Sequence, residues 1–292
     1  MSDTGRGAGR SAGPPQARPD PPGGSLAVPG ERGAPSSPLV FVTGASSGIG
    51  QALAARFYRA GYRLALVARR AAEVQAWADA QGLEPARCAV YAADVRDLGG
   101  ITAAGRACIA AQGVPDVVIA SAGISVGMDS AVFADLEVMR SVFETNNLGM
   151  AATFQPFVQP MCERRAGSLV GIASVAGIRG LPGHGAYCAS KSGVIAYCES
   201  LRGELRPNKV KVVTIVPGYV ATPLTSKNPY GMPFLMPVEA FADKAFAAIT
   251  AGASYRLIPW QMGVVAKLLR LLPNVVFDQL LARRGRKPRK AD

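Results

Sequence analysis

Histidine is almost absent from this chain, with His184 the single example among 292 residues. Cysteine is scarce as well: the five cysteines are an odd number, and their intervals do not match the spacing of a metal-ligand motif. A disulfide scaffold and a Cys/His metal centre are therefore excluded, and we expect no metal site. The cysteines are predicted to be reduced, partly buried thiols, namely Cys88, Cys108, Cys162, Cys188 and Cys198.

Large apolar side chains are scarce at the start of the chain. Residues 1–38 consist mainly of Gly, Pro, Ala, Ser and Arg and lack the apolar stretch of a secretory signal. Because such a segment buries too little apolar surface to offset the entropy of ordering, we predict that it is disordered. We expect no nucleic-acid partner, since its four arginines are opposed by three acidic residues and the basic C-terminal end has no interleaved aromatic residues.

What the sequence does have, over residues 39–259, is an alternation of short apolar runs with helical stretches. This pattern predicts one α/β domain: a Rossmann-like, doubly wound parallel sheet of about seven strands with helices on both faces. A ligand should bind beyond the carboxyl ends of the strands. The predicted strands are Leu39–Thr43, Arg63–Val67, Cys88–Ala92, Val117–Ser121, Ser168–Ala173, Lys211–Val216 and Tyr255–Ile258.

Three side chains indicate a proton-transfer site. Tyr187 and Lys191 are four residues apart, and on a helix from Gly185 this spacing places the phenol and the ammonium on one face. A neighbouring cation favours the phenolate, which would let Tyr187 exchange protons with a carbonyl or alcohol oxygen. Ser174, at the end of an apolar run, could hydrogen-bond the same oxygen. Alone, the Tyr-Lys pair would be no more than a helix face.

A glycine-rich turn between a strand and a helix predicts a phosphate site. It consists of Gly44, Ser46, Ser47, Gly48, Ile49 and Gly50, with the glycines spaced G-x-x-x-G-x-G. Glycine lets the backbone approach a pyrophosphate closely, and the following helix offers unpaired N–H groups. The alternative is a glycine-rich connection without a ligand.

From about Leu39 to Pro259 the chain resembles the short-chain dehydrogenases/reductases in their single-domain form. The resemblance rests on ordered motifs: the glycine turn, Asp94-Val95, Ser121-Ala122-Gly123, Asn146, Ser174, Tyr187 with Lys191, and Pro217-Gly218 followed by Val220 and Thr222. It implies a hydride-transferring enzyme in which these residues bind a nicotinamide cofactor. The chain departs from the family at Ser121, where asparagine is usual, which suggests altered hydrogen bonding there.

The resemblance also implies a role for each catalytic residue. Tyr187 would be the general acid/base, Ser174 would orient the substrate oxygen, and Lys191 would hold the nicotinamide ribose while lowering the tyrosine pKa. Asn146 matches the asparagine of a water-linked proton relay, with Asn147 as the adjacent candidate. Asp94 would contact the adenine, with Val95 packed beside it.

The end of the second strand predicts which cofactor is used. The residue at position 68 is alanine, so no carboxylate there can accept hydrogen bonds from the adenosine ribose hydroxyls. Arg69 and Arg70 follow it. A guanidinium can pair with a 2′-phosphate through two parallel hydrogen bonds, and Ser46 could add a hydroxyl. The sequence therefore predicts NADP(H); the alternative, solvated surface arginines, applies to Arg70 more than to Arg69.

Information on the substrate lies mainly in residues 222–237, the mobile flap of the family. Its apolar side chains would give an adaptable lining that favours a hydrophobic ketone, aldehyde or alcohol over a sugar. The alternative is that they dock the flap on the core. These side chains are Tyr230, Met232, Phe234, Leu235 and Met236. His184 could line the same pocket or be an ordinary loop residue.

Residues 260–292 extend beyond the minimal domain. The first part is predicted to form apolar-faced helices with Lys267 and Arg270 on a polar side, and residues 283–290 are mostly basic. The apolar runs are too short to span a bilayer, but an amphipathic helix with a polybasic end is typical of a membrane-surface anchor. Alternatively, these helices cover the domain or form a dimer contact, and the basic end is a solvated tail.

Together these patterns predict an NADP(H)-dependent oxidoreductase, a carbonyl reductase or alcohol dehydrogenase acting on a hydrophobic small molecule. We expect a cytoplasmic homo-oligomer, dimer or tetramer, with a possible anionic membrane surface as a further partner through the C-terminal tail. The alternative function is an NADP(H)-binding regulatory or membrane-scaffold protein with incidental reductase activity. A positioned proton donor argues against it, because a binding module needs only the glycine turn.

Overall fold

The computed structural model describes residues 37–226, 228, 231–282 and 289. The segment predicted to be disordered, residues 1–38, falls outside this description except for Ser37 and Pro38. Most of the basic C-terminal end, residues 283–288 and 290–292, also lies outside it, as does Tyr230 of the flap.

Seven parallel strands form one sheet in the order β3-β2-β1-β4-β5-β6-β7. The central strands are continuous apolar runs because helices cover both faces of the sheet; all five residues of β1 are buried. The predicted strands are confirmed, with differences of one residue at some ends. They are β1 Leu39–Thr43, β2 Arg63–Ala68, β3 Cys88–Ala92, β4 Val117–Ala120, β5 Ser168–Ile172, β6 Lys211–Pro217 and β7 Tyr255–Ile258.

Helices connect the strands and divide the core into two layers. One layer packs α3, α5 and α6 against the sheet, with Phe41 of β1 and Phe157 of α5 at 4.8 Å between ring centroids. The opposite layer packs α1, α2 and α7. The helices are α1 Gly48–Arg59, α2 Ala71–Ala80, α3 Leu98–Gln112, α4 Asp135–Phe143, α5 Gly149–Arg164, α6 Gly185–Leu205, α7 Val238–Ala251, α8 Trp260–Leu271 and α9 Asn274–Leu281.

The sheet reverses its winding between β1 and β4. The chain passes from β1 to β2 and β3 on one side, then crosses to β4 and continues through β5, β6 and β7 on the other. At such a switch point the connections leave in opposite directions, which opens a crevice beyond the carboxyl ends of the strands. The motifs singled out in the sequence follow β1, β4, β5 and β6, so the fold brings them to this crevice.

Two helices follow the last strand, as the sequence predicts. Helix α8 buries Met262 and Ala266, and α9 buries Phe277 and Leu281. These contacts favour the interpretation that the extension covers the domain. No helix among the described residues is long and apolar enough to cross a membrane. All five cysteines are free thiols, as the sequence predicts, and Cys108, Cys188 and Cys198 are buried.

Candidate active site

A cleft of about 480 Å³ opens at the crevice between β1 and β4. Every residue predicted to bind the cofactor lines it, from Gly44 in the first turn to Thr222 after β6, and so does Ser174. Asn146 is the exception among the predicted site residues, since it lies behind the wall. The cleft also has lining residues that the sequence analysis missed, including Ile124, Ser141, Thr145, Arg96 and Pro223–Thr225.

The glycine turn follows β1 and leads into α1 at the mouth of the cleft. Gly44 has a φ of +70°, and a Cβ there would lie 2.8 Å from the backbone of Ala122. A Cβ on Gly50 would collide with the Gly44 carbonyl. Backbone packing alone therefore requires glycine at these two positions. A glycine-rich connection that binds no ligand would have the same requirement. Gly48, with φ +59°, faces Thr222 across the cleft, and the described first turn of α1 carries no acidic side chain.

Ser174 and Tyr187 meet at the inner end of the cleft. Ser174 lies two residues after the end of β5, and its Oγ accepts a hydrogen bond of 3.2 Å from the Ala176 backbone N–H. Tyr187 lies in the first turn of α6, which begins at Gly185 as predicted. Burial raises the pKa of Tyr187, and a hydrogen bond with Ser174 offsets part of the increase.

Lys191 lies one turn after Tyr187 and is buried. Its Nζ donates a hydrogen bond of 2.8 Å to the Ile172 carbonyl and is 5.8 Å from the centroid of the Tyr187 ring. Burial lowers the pKa of Lys191 to about 8. The net shift of the Tyr187 pKa is therefore opposite to the lowering expected from the neighbouring Lys191, because desolvation of the phenol dominates.

Asn146 is fixed behind the cleft by a π-helical turn at Glu144–Leu148. Its Oδ1 accepts a hydrogen bond from the Ile124 N–H at 2.9 Å, and its Nδ2 donates to the Ile124 carbonyl at 3.0 Å and to the Ser190 Oγ at 2.9 Å. A Cβ on Gly123 would lie 3.2 Å from the Asn146 Oδ1 and 3.4 Å from the Lys191 Nζ. Both side chains therefore lie close to Gly123, whereas the Asn147 amide donates to the Ser190 carbonyl instead.

The opposite end of the cleft is basic. Asp94 accepts three side-chain hydrogen bonds and one backbone hydrogen bond from Arg96, which hold the pKa of its carboxyl below the usual range. Arg69 lies 3.9 Å from the same carboxylate, while Arg70 pairs with Glu73 at 3.0 Å. The sequence analysis missed Arg96. The available signal was a basic residue two positions after Asp94, in the segment that follows β3.

The flap after β6 contributes less apolar lining than expected. Leu224 faces the cleft, but Met236 packs against the core and its backbone pairs with Tyr219 and Ala221. Phe234 and Leu235 are about half exposed and do not line the cleft. Met236 therefore agrees with the docking alternative, whereas Phe234 and Leu235 neither line the cleft nor pack on the core.

His184 is not part of the cleft lining. It is buried in the loop before α6, where its Nδ1 lies 3.0 Å from the Pro182 carbonyl. The structure thus favours the ordinary loop residue over a substrate-pocket residue.

Comparison with known proteins gives a consistent result. Residues 38–231 match the family model described as short chain dehydrogenase. A protein of Myxococcus xanthus described as an uncharacterized oxidoreductase is 40% identical over 243 residues, covering 82% of this chain and 94% of the relative. The dehydrogenase/reductase SDR family member 7B of Bos taurus is 32% identical over 271 residues, covering 87% of this chain and 83% of the relative.

Solved structures share the fold. A short-chain dehydrogenase from Burkholderia cenocepacia in complex with NADP superposes with a TM-score of 0.72 at 22% identity, covering 84% of this chain and 98% of that one. Because the family model covers more than half of the chain and close relatives cover most of it, the chain belongs to the short-chain dehydrogenases/reductases, a family of oxidoreductases.

Proposed function

We propose that this oxidoreductase uses NADPH to reduce a hydrophobic ketone or aldehyde. The observation that carries the proposal is the pairing of Ser174 with Tyr187 at one end of a cleft whose other end presents Arg69 and Arg96. Such a cleft offers a positioned proton donor and a basic phosphate site within one cavity. The opposite direction, alcohol oxidation, uses the same groups in reverse.

The lining fits a dinucleotide. The N-terminus of α1 presents backbone N–H groups without an acidic side chain in its described first turn, and Gly123 leaves space beside Lys191 that a Cβ would narrow. We assign the pyrophosphate to the glycine turn. The adenosine is assigned to Asp94 and Val95, with Ser121 to Gly123 as a wall of its pocket. The nicotinamide end is assigned to Tyr187, Lys191, Pro217, Gly218, Val220 and Thr222. The bound cofactor would supply the hydride.

Tyr187 acts as the proton donor in this proposal. Its raised pKa keeps the phenol protonated at neutral pH, as an acid that protonates a developing alkoxide must be. The Ser174 hydroxyl hydrogen-bonds the same oxygen and orients the carbonyl carbon. Lys191 and Asn146, which both lie close to Gly123, are proposed to return a proton to the tyrosine.

Selectivity for the phosphorylated cofactor rests on charge. Arg69 and Arg96 both approach Asp94, and one carboxylate does not neutralise two guanidinium groups. The remaining positive charge favours a 2′-phosphate. Arg70 contributes less because Glu73 already pairs with it.

The substrate class is inferred from the apolar side chains near the catalytic end. Ile124 and Leu224 line the cleft and add apolar surface to it. A relative from Acinetobacter is named an acetoacetyl-CoA reductase, 31% identical over 64% of this chain, and its name favours reduction as the direction. We also propose a homo-oligomer, dimer or tetramer, as the assembled form.

A membrane-surface role for α8 and α9 is favoured by one further observation. Helix α8 is apolar on two faces: Met262 and Ala266 are buried, whereas Trp260, Val264, Leu268 and Leu271 point outward, with Leu271 80% exposed. Val275 and Leu280 continue the exposed apolar surface on α9. Lys267, Arg270 and the basic residues that follow in sequence complement anionic lipid headgroups. Peripheral association would leave the proposed chemistry unchanged.

Replacing Tyr187 by Phe tests the enzyme assignment. Without the phenol hydroxyl, kcat for carbonyl reduction is expected to fall by about 10²–10⁴-fold, the usual contribution of a general acid. The dissociation constant for NADPH should change little, because the ring remains. Tyr197→Phe, on the same helix but outside the cleft lining, is the matched control and should keep full activity. Activity retained by Tyr187→Phe would contradict the assignment.

Arg69→Ala tests the cofactor preference. Loss of a charge-assisted hydrogen bond of about 1.5–3 kcal/mol should raise the KM for NADPH by roughly 10–100-fold while leaving the KM for NADH nearly unchanged. Arg70→Ala should have a smaller effect. Steady-state kinetics with both cofactors provide the measurement, and a wild-type preference for NADH would show that NADP(H) is the wrong cofactor.

Burial of the Lys191 ammonium predicts that the stability difference between the wild type and Lys191→Met depends on pH. The folded pKa of Lys191, about 8, lies below its unfolded value of 10.5, so the folded state releases this proton first as the pH rises. The free energy of unfolding of the wild type should therefore increase relative to that of Lys191→Met between about pH 8 and 10.5, by up to about 1.4 kcal/mol per pH unit. Urea unfolding of both proteins across this range measures the difference; a constant difference would contradict a buried, titrating lysine.

Vesicle binding tests the membrane surface. Trp77→Phe leaves Trp260 as the single tryptophan, and its emission should shift to shorter wavelength with phosphatidylserine vesicles but not with phosphatidylcholine vesicles. Leu268→Glu should abolish the shift, whereas Leu98→Glu, at an exposed leucine on α3, should not. A concentration-dependent dimer that Leu268→Glu dissociates, without any vesicle binding, would show that a second copy covers this surface instead.

A further inference from the structure

The loop between β5 and α6, residues 173–184, joins Ser174 to Tyr187. Its first half is held by α6: the Ser192 hydroxyl donates to the Gly177 carbonyl at 2.6 Å, and a Cβ on Gly177 would lie 2.7 Å from the Lys191 backbone. The second half faces α6 across a pocket lined by Gly180, Leu181 and Pro182 on one side and by Cys188 and Ser192 on the other, and Gly180 has no heavy atom within 4 Å of where a Cβ would be. This half needs another support.

Arg179 provides that support by binding the C-terminal helices. Its Nη1 donates to the Leu269 carbonyl and, at 2.9 Å, to the Leu272 carbonyl. These carbonyls belong to the last turn of α8, where helix carbonyls lack intrahelical partners and carry partial negative charge. A single guanidinium therefore caps α8 and fixes the loop to it.

The same guanidinium also reaches α9. Its Nη2 donates to the Asn274 Oδ1 at 3.0 Å, and its Cζ lies 3.8 Å above the centroid of the Phe277 ring. In the reverse direction, Arg270 of α8 donates to the Ile178 carbonyl at 2.9 Å. The loop and the two helices are thus interlocked from both sides. A lysine could not reproduce the planar, forked contact of Arg179.

A second connection reaches the loop between β4 and α4, residues 121–134. Arg289 forms a bidentate ion pair with the buried Asp135, at 2.8 and 3.1 Å, and pairs through its backbone with Gly127. The Asp129 N–H donates to the same carboxylate at 2.7 Å. This loop touches the first one, because the Met128 N–H donates to the Gly183 carbonyl at 3.1 Å. Both loops contribute to the catalytic end of the cleft through Ile124 and Ser174.

We propose that Arg179 is a positioning residue, through which the C-terminal extension holds the loop from Ser174 to Tyr187 in its reactive arrangement. The extension is then a functional part of the catalytic end, and the Arg289–Asp135 pair steadies the facing loop. The kinetic consequence rests on the reductase function proposed above, whereas the structural consequence does not. Arg179 touches neither the cleft nor the reacting atoms and acts only through the loop.

Arg179→Ala tests the proposal by two independent measurements. Hydrogen–deuterium exchange should become faster in peptides from 173–187 as well as 260–282. With a carbonyl that the wild type reduces, kcat/KM should fall by about 10–100-fold, since small displacements of catalytic groups have effects of this size. The dissociation constant for NADPH should stay within about threefold. Arg179→Lys should recover only part of the loss.

Two further variants make the result specific. Arg270→Ala, at an exposed position, should shift exchange and kcat/KM in the same direction by a smaller amount. Arg202→Ala removes a surface arginine of α6 that pairs with Glu199 and should change neither. Faster exchange in 260–282 with unchanged exchange in 173–187 would show that Arg179 only caps α8, and would overturn the proposal. If the wild type reduces no carbonyl, the proposed function fails while the exchange data still decide the role of Arg179.

Discussion

The hydrogen bond from the Lys191 ammonium to the Ile172 carbonyl sets the geometry of the whole site. Burying an ammonium costs several kcal/mol unless polar partners compensate, so the position of Lys191 is strongly constrained. Ile172 ends β5, two residues before Ser174, and Lys191 follows Tyr187 by one helical turn. One bond between a strand end and a helix therefore links the positions of Ser174, Tyr187 and Lys191, and burial of the ammonium lowers the pKa of Lys191.

Glycine has two different roles around the same cleft. Gly44 and Gly50 are required because neighbouring backbone would collide with a side chain, which is a demand of the fold itself. Gly123 lies close to Asn146 and Lys191, and a side chain there would press on both polar groups. A glycine motif in sequence therefore does not distinguish a packing requirement from a ligand requirement. The surrounding contacts show which protein atoms a side chain would meet at each position.

Sequence patterns predicted the elements well because these depend on local periodicity. Apolar runs gave the seven strands, and the spacing of Tyr187 and Lys191 placed them correctly on one helix. The direction of the Tyr187 pKa shift was wrong, because burial depends on the packing of distant segments and outweighs the nearby charge. Arg96 and Leu224 were missed for a related reason: their approach to the cleft depends on how loops from separate strands meet. The helices after β7 were predicted, but their attachment through Arg179 joins residues about 90 positions apart.

The interlock at Arg179 has a thermodynamic consequence for the exposed face of α8 and α9. Two binding surfaces that share one structural element are linked, and linkage is reciprocal for equilibrium affinities. If a ligand on the outer face of these helices prefers one arrangement of the loop, it changes the affinity of the cleft for its own ligand by some factor. Occupancy of the cleft must then change the affinity of the outer face by the same factor. The extension thereby gives a single-domain enzyme the connection that heterotropic control requires.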